Sequence, residues 1–394
     1  MASTKDNLHT ETDKTKKYTF LAETTPHLAT ILGFPSRCST FPALYKSTCT
    51  EIIDLACTIA AFEPVRLHVR LEDLSKAQDL ISKRLETSDK QNITLIPVAT
   101  NHCWVRDTGP VYVRGLEDPQ RRYAIDFQFC EWGNKIEELL YIGSADKDAA
   151  AEGWPIMDES RREENTLFAR RVLELENQNL NHGCHPVTRV VSSVRLEGGG
   201  IEMDGEGTFM AAASSVLVPS RNEGLSQEDV ETELTRLLGI EKFIWIPGRE
   251  GLDITDCHID AEARFVRPGV VVVCKPHAKC EPVYWDIYRE AREILDTVTD
   301  ARGRRLKVYD IEEPDPELVK GDVDGEEDGP AASYVNFYFV NGGLVMPAFG
   351  DVEADQKALE IIQSLVPERE VRQVAVNALP RTGGVLHCTT QQVL

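Results

Sequence analysis

The chain has 394 residues, enough for one large domain or two ordinary ones, and its 42% hydrophobic and 27% charged content is usual for a soluble globular enzyme. Its 43 basic and 65 acidic residues leave a net charge of −22, which disfavours nucleic acid and anionic membrane surfaces and lets a small cation approach, although acidity serves solubility equally well. No stretch approaches the roughly 18 apolar residues of a membrane span.

Residues 1–17 carry basic residues with no apolar core behind them. They read as a flexible polar tail, not a signal peptide, and leave 18–394 as a single domain. Helices over 43–61 and 73–84 alternate with strands over 64–69 and 92–97. Residues 208–219 (TFMAAASSVLVP) read as a strand. Ser226, with Asp229 three residues on, is an N-cap for a helix over 227–238, where Val230, Leu234, Leu237 and Leu238 recur at helical spacing. Gly239 ends that helix, and Lys242–Pro247 is the next strand. The plan returns where Ala263–Phe265 and Val270–Cys274 flank the turn Arg267-Pro268-Gly269, before a helix at 283–297 and a strand in RLKVYDI. It returns again where Tyr334–Val340 and Leu344–Pro347 flank Asn341-Gly342, before a helix at 353–365 and a strand at 370–376. Strand–strand–helix–strand units of roughly 50–70 residues, alike in pattern and not in residues, imply one α/β domain of similar modules around a centre. The acidic, proline- and glycine-rich stretch 311–330 is expected to be a long exposed loop.

Ten cysteines are scattered without a C-x-x-C pair. Reduced thiols in a cytoplasmic compartment are the expectation. His182-Gly-Cys184-His185 has no second half at zinc spacing, so no metal site is expected.

Four segments place polar residues where strands run into glycines or turns. Trp104-Val-Arg106-Asp107-Thr-Gly-Pro sets a carboxylate at a sharp turn. Glu197 follows an apolar strand (VVSSVRL) and precedes three glycines, which let backbone approach closely or take positive φ. Such a glutamate serves as a partly buried acid or base, or as an exposed charge on a hairpin. His258 and Asp260, two apart in an extended segment, point to one face. Cys388 follows the apolar run Val385-Leu386 and precedes the polar Thr389-Thr390-Gln391-Gln392. It is either an activated thiol or a buried structural one. His387 would face the opposite side of a strand, which leaves His258 as the better partner for Cys388.

The order Trp-x-Arg-Asp-Thr-Gly-Pro, Leu-Glu-Gly-Gly, His-x-Asp, His-Cys-x-Thr-Gln-Gln resembles the agmatine deiminases and the bacterial-type peptidyl-arginine deiminases. IEMDGEGTFM, VPSRN, LGIEKFIWIPG, FVRPGVVVV, AASYVNFYFVNGGLVMPAFGD and LHCTTQQ extend the likeness from about residue 50 to the C-terminus. The resemblance implies a five-bladed α/β propeller, the pentein-like fold, with a site in its central channel. It implies Cys388 as nucleophile, His258 and Glu197 as the proton-handling pair, and Asp107 and Asp260 as the carboxylates that grip a guanidinium, with Trp104 and Arg106 beside the substrate. Physical chemistry supports those roles: carboxylates bind a planar guanidinium bidentately, and two of them together favour a cation over a neutral substrate. The implied reaction converts a guanidinium to a urea and ammonia through a thiouronium on Cys388, without metal or organic cofactor.

The neighbours of these residues depart from the family. Its Asn-Gly-His-Val-Asp-Asn is here Asp256-Cys257-His258-Ile259-Asp260-Ala261, its Gly-Gly-Ser-Ile-His is Gly198-Gly199-Gly200-Ile201-Glu202, and its Gly-Gly-Gly-Asn is Thr382-Gly383-Gly384-Val385 behind Arg381. The family's early Trp-Pro is Phe34-Pro35. Arg381 suits a substrate bearing a carboxylate. Agmatine is the first substrate expected, for putrescine synthesis; a peptidyl-arginine, another guanidine or amidino transfer are alternatives. A non-catalytic guanidine- or polyamine-binding relative is the reading from another class. A cysteine protease is disfavoured, because carboxylates beside the thiol suit a cation better than an amide. A homo-oligomer is compatible with the sequence.

Overall fold

The computed structural model describes residues 16–84, 92–135, 155, 157–178, 185–319 and 330–394. In chain order it runs β1 (Tyr18–Phe20), β2 (Ala29–Gly33), α1 (Pro42–Ala60), β3 (Val65–Val69), α2 (Leu74–Arg84) and β4 (Ile93–Pro97). Then come β5 (Val111–Gly115), β6 (Arg122–Asp126), α3 (Glu159–Thr166), α4 (Phe168–Gln178) and β7 (Val187–Val191). The next unit holds β8 (Glu202–Met203), β9 (Thr208–Ala212), α5 (Gln227–Leu238) and β10 (Lys242–Ile246). Two further units follow: β11 (Ala263–Arg267), β12 (Val270–Lys275), α6 (Pro282–Leu295), β13 (Lys307–Glu312); and β14 (Tyr338–Val340), β15 (Gly343–Ala348), α7 (Val352–Leu365), β16 (Glu370–Ala375). The chain ends in β17 (Thr390–Val393).

These strands form five sheets, the blades of an α/β propeller. In β11-β12-β13 and β14-β15-β16 an antiparallel pair is followed by a helix and a third strand parallel to the second. β5-β6-β7 and β8-β9-β10 repeat the plan. The blade containing β2, β3 and β4 takes its antiparallel strand from the far end of the chain: β17 pairs with β2, Gln391 opposite Ile31. The ring is closed by joining its two ends, and Cys388 stands two residues before the closing strand.

Each helix seals its blade with one apolar stripe. Ser226 and Asp229 form a reciprocal capping box on α5, and Gly239 ends it in the left-handed conformation at φ +73°. Val230, Leu234, Leu237 and Leu238 of α5 are all buried, each worth about 1.5–3 kcal/mol against exposure. The Asn341-Gly342 hairpin forms as its sequence requires, with Gly342 at φ +75°.

Two predicted strands are shorter than expected. The strand from Thr208 ends at Ala212, where helical turns Ala213–Val216 and Pro219–Asn222 begin. Ser215 Oγ donates to Ala212 O and Ser214 Oγ to Asp256 O, which reward that bend. Tyr334–Phe337 lies outside the ladder, which starts at Tyr338. Of the tail, residues 1–15 lie outside the described residues, and Lys17 N donates to Arg236 O at 3.0 Å. Residues 320–329 of the expected loop, and His182 and Cys184, also lie outside the described residues.

Candidate active site

Three glycines make room for a tight cluster of charged groups. A Cβ on Gly199 would meet Asp107 Oδ1 and His258 Nδ1 at 2.8 Å and Asp260 Oδ2 at 3.1 Å. One on Gly198 would collide with the Arg106 carbonyl. Of the two uses of glycine open to the sequence, close approach is the one realised. Asp107, Glu197, His258 and Asp260, far apart in sequence, therefore meet on one point, and all four are at least 93% buried.

Asp107 lies in the single turn Val105–Thr108. Gly199 N donates to its Oδ1 at 3.0 Å and Trp132 Nε1 to its Oδ2 at 2.8 Å. His258 Nδ1 is 3.7 Å from Asp107 Oδ1, and its Nε2 is 3.2 Å from Glu197 Oε2. Glu197 in turn takes Arg221 Nε at 3.0 and 2.9 Å on its two oxygens, and Arg221 Nη1 reaches Asp256 Oδ2 at 2.7 Å. His258 is not in an extended segment: it precedes the helical turn Ile259–Glu262, and that turn brings Asp260 beside it.

Asp260 stands between the imidazole of His387 and the thiol. Its Oδ2 is 2.7 Å from His387 Nδ1 and 3.6 Å from Cys388 Sγ, while its Oδ1 is buried without a hydrogen-bond partner. Asn336 Nδ2 donates to Asp260 O at 3.2 Å and approaches Cys388 Sγ at 3.3 Å, and its Oδ1 accepts from His387 N at 2.9 Å. Cys388 is half-buried. It lies in a 3₁₀ turn, His387–Thr389, with its strand after it and not before. Trp104 and the thiol both border Gly384, where a Cβ would meet Trp104 Cζ3 at 2.8 Å and Cys388 Sγ at 3.2 Å.

Arg106 does not join this face. Its Nη1 donates to Gln392 Oε1 at 2.9 Å, its Nη2 to Glu23 Oε2 at 3.1 Å and its Nε to His387 O at 3.4 Å. These three bonds tie Arg106 to Gln392, Glu23 and the His387 backbone behind the site. Glu23 also takes Arg264 Nη2 at 3.2 Å and lies 2.9 Å from His387 Nε2. His387 is thus held between Glu23 and Asp260. The premise that it faces away as on a strand fails, because the backbone there is a 3₁₀ turn. Arg381 lies in the turn Pro380–Thr382, with Nη1 3.4 Å from Asn377 Oδ1.

The electrostatics follow from this packing. Burial opposes protonation of His258, but Asp107, Glu197 and Asp260 outweigh it and lift the imidazole to about 9. Burial pushes Asp107 up, with Asp260 and Glu197 adding to it and His258 opposing. Asp260 is held low against burial by His387, His258 and Arg264. Glu197 is held low against burial by Arg221 and His258. Burial, then Asp260 and Asp107, raise the Cys388 thiol well above its ordinary range. At neutral pH the site holds a thiol, an imidazolium and carboxylates, one of them with a buried oxygen unpaired. That arrangement favours the entry of one more cation.

A five-bladed α/β propeller with a cysteine beside paired carboxylates and a carboxylate-held histidine is the architecture of the guanidine-modifying penteins. The model of the Porphyromonas-type peptidyl-arginine deiminase family matches residues 19–393, and the chain belongs to that family. The match begins well before residue 50 and takes in Glu23 and β2. The chain is 32% identical over 397 residues to the agmatine deiminase of Ectopseudomonas mendocina, covering 97% of each. It is 30% identical over 391 residues to that of Medicago truncatula, covering 94% of this chain and 95% of the relative. The solved agmatine deiminase of Enterococcus faecalis superposes with a TM-score of 0.78 at 27% identity, covering 96% of each chain.

Proposed function

We propose that the protein is an agmatine deiminase that hydrolyses agmatine to N-carbamoylputrescine and ammonia. The observation that carries the reading is the unpaired, buried Oδ1 of Asp260, on a carboxylate whose Oδ2 stands 3.6 Å from the Cys388 thiol and shares the space around Gly199 with Asp107. A guanidinium supplies the N–H donor that Asp260 Oδ1 lacks, and its charge suits the Asp107 carboxylate beside it. Its charge also offsets the carboxylates at sulfur, so that the thiol releases its proton to solvent as substrate binds.

The Cys388 thiolate attacks the guanidinium carbon, and a C–S bond forms. His258, protonated, gives its proton to the departing amino group, the C–N bond breaks and ammonia leaves a thiouronium on sulfur. Water then attacks the same carbon, neutral His258 takes one of its protons, and the C–S bond breaks to release the urea as the second proton returns the sulfur to a thiol. Glu197, fixed by Arg221, holds the imidazole through both steps. Trp104 borders Gly384 together with the reacting sulfur. No metal or organic cofactor enters the scheme.

A peptidyl-arginine substrate is the second reading, and the burial of the site speaks for the small guanidine. Glu197 is 1% exposed and Asp260 fully buried, so a guanidinium on a slender chain fits better than one on a protein backbone. A cytoplasmic setting goes with this reading; among the described residues no helix is long and apolar enough to cross a membrane. Ammonia release from agmatine, free arginine and an arginine peptide tests it, with Cys388→Ser as control. Release from agmatine alone, lost in Cys388→Ser, is the expected result. Release from the peptide alone transfers the function to protein deimination, and silence from folded protein on all three favours the binding-only relative.

A further inference from the structure

The turn that brings Trp132 to Asp107 is left-handed. Glu131, Trp132, Gly133 and Asn134 have φ of +53°, +50°, +88° and +61°. Residues other than glycine resist this conformation, and it persists only where the surroundings impose it. Here they do. The Glu131 carboxylate accepts from Asn165 Nδ2 at 2.7 Å and lies 2.8 Å from His102 Nε2. The Trp132 ring packs edge-on to His102 and to Phe129, each with centroids 5.0 Å apart.

Two ends of this short segment reach two halves of the site. At one, the Trp132 indole and Gly199 N–H each occupy one oxygen of Asp107, which fixes the plane of the carboxylate. At the other, Lys135 Nζ pairs with Asp256 Oδ1 and donates to Asp253 O at 3.2 Å. Asp256 stands where the family pattern has asparagine. A carboxylate there, 2.7 Å from Arg221 Nη1, competes with Glu197 for the arginine. An asparagine would not. Lys135 neutralises that carboxylate and leaves Arg221 to Glu197.

We propose that Trp132 and Lys135 are positioning residues carried on one strained turn: Trp132 orients the carboxylate that takes the guanidinium, and Lys135, through Asp256 and Arg221, sets the Glu197–His258 pair. The inference rests on the guanidine-binding reading of the site. His258 faces Asp107, Glu197 and Asp260. Behind these stand Arg221, Asp256 and Lys135 on one side, and His387 and the Cys388 thiol on the other.

Two readouts separate the arms without turnover, so a lack of deiminase activity would count against the function and leave this test in place. Agmatine and guanidinium ion are titrated calorimetrically into Cys388→Ser protein, and His258 is titrated by NMR. Trp132→Phe keeps the ring and loses the N–H; binding should weaken roughly tenfold, as for one hydrogen bond to a charged group, with His258 unmoved. Lys135→Met should leave binding within about twofold and raise the His258 pKa by about half a unit or more, because Asp256 then draws Arg221 from Glu197. Asp256→Asn alone should lower that pKa by about half a unit, and added to Lys135→Met it should bring the raised value back to the starting value or below it. Unchanged binding in Trp132→Phe overturns the first arm. His258 titrations in Lys135→Met and Asp256→Asn that coincide with the parent protein overturn the second. Near-ultraviolet circular dichroism confines the comparison to folded variants, and Asp256→Asn, which installs the family residue, carries the second arm if Lys135→Met does not fold.

Discussion

Asp260→Asn should make Cys388 more reactive in the substrate-free protein, although it removes a group essential to the proposed reaction. Burial, then the Asp260 and Asp107 carboxylates, hold the thiol well above its ordinary range. The Asp260 Oδ2 to Cys388 Sγ distance is 3.6 Å. At an effective dielectric of ~20, a unit charge at that separation opposes the thiolate by about 4–5 kcal/mol, or about 3 pH units. A thiolate of lower pKa is also a weaker nucleophile, with a Brønsted coefficient of roughly 0.4–0.5, so about half of the logarithmic gain is cancelled. The expectation is a roughly 50-fold faster reaction with a neutral aromatic disulfide near neutral pH. The assay follows release of the aromatic thiol, with Cys388→Ser subtracted and the modified residue located by mass spectrometry. Asp107→Asn should act in the same direction. A change of less than about fivefold in Asp260→Asn would refute the electrostatic account and leave burial alone as the cause. One consequence concerns the separation of enzyme from binding-only relative. A sluggish thiol in the free protein is what the working site itself produces, so thiol reactivity tells the two apart only when a guanidinium is bound.

His258 is lifted from its ordinary 6.5 to about 9. Its contribution to stability is therefore complete below pH 6.5 and lost as pH rises through about 9; urea midpoints should fall across that window, and less so in His258→Gln. Arg221→Met leaves the buried carboxylates of Glu197 and Asp256 without their shared cation, which should cost about 3–5 kcal/mol by urea denaturation at neutral pH. A loss below about 1 kcal/mol would mean that the carboxylates take up protons or water instead. Glu51 on α1 accepts from the backbone N–H groups of Asn377, Ala378 and Leu379 at 2.9, 2.8 and 2.8 Å. Glu51→Ala strands those donors on the segment leading to Cys388 and should cost about 3 kcal/mol or more in the same assay, where an unchanged midpoint would show that water replaces the carboxylate.

What could be read of the fold was whatever is encoded locally. The α5 helix carries its own cap, stripe and stop within residues 226–239, and the Asn341-Gly342 hairpin carries its own turn chemistry. The blade of β2, β3 and β4 fitted the repeating plan only loosely because its missing strand is β17, more than 350 residues away. β17 is also disguised by composition. Thr390, Gln391 and Gln392 are buried, yet they lack the apolar alternation that marks a strand, so the run after Cys388 read as polar and the strand was sought before it.

The site divides along the same line. Cys388, His258, Asp260, Glu197 and Asp107 are legible because each sits in a short motif whose residue types suit the chemistry. Their supports are not, because support depends on where a side chain ends and not on what precedes it in sequence. Arg221 lies in VPSRN, part of the family likeness, but nothing there connects it to a glutamate 24 residues away. Trp132 reaches Asp107 only because four consecutive residues take a backbone conformation that their identities, Gly133 and Asn134 apart, disfavour. His387 was set aside by assuming a strand, where neighbours face opposite ways; in the observed 3₁₀ turn they stand about 120° apart, and both His387 and Cys388 reach Asp260. The residues proposed to act on substrate are thus written as motifs, whereas those that hold them charged and in place are written as contacts, and contacts are free to change. The Lys135–Asp256–Arg221 chain beside His258 is such a change: the family's neutral asparagine has become an aspartate, and a lysine from another blade's connection now balances it.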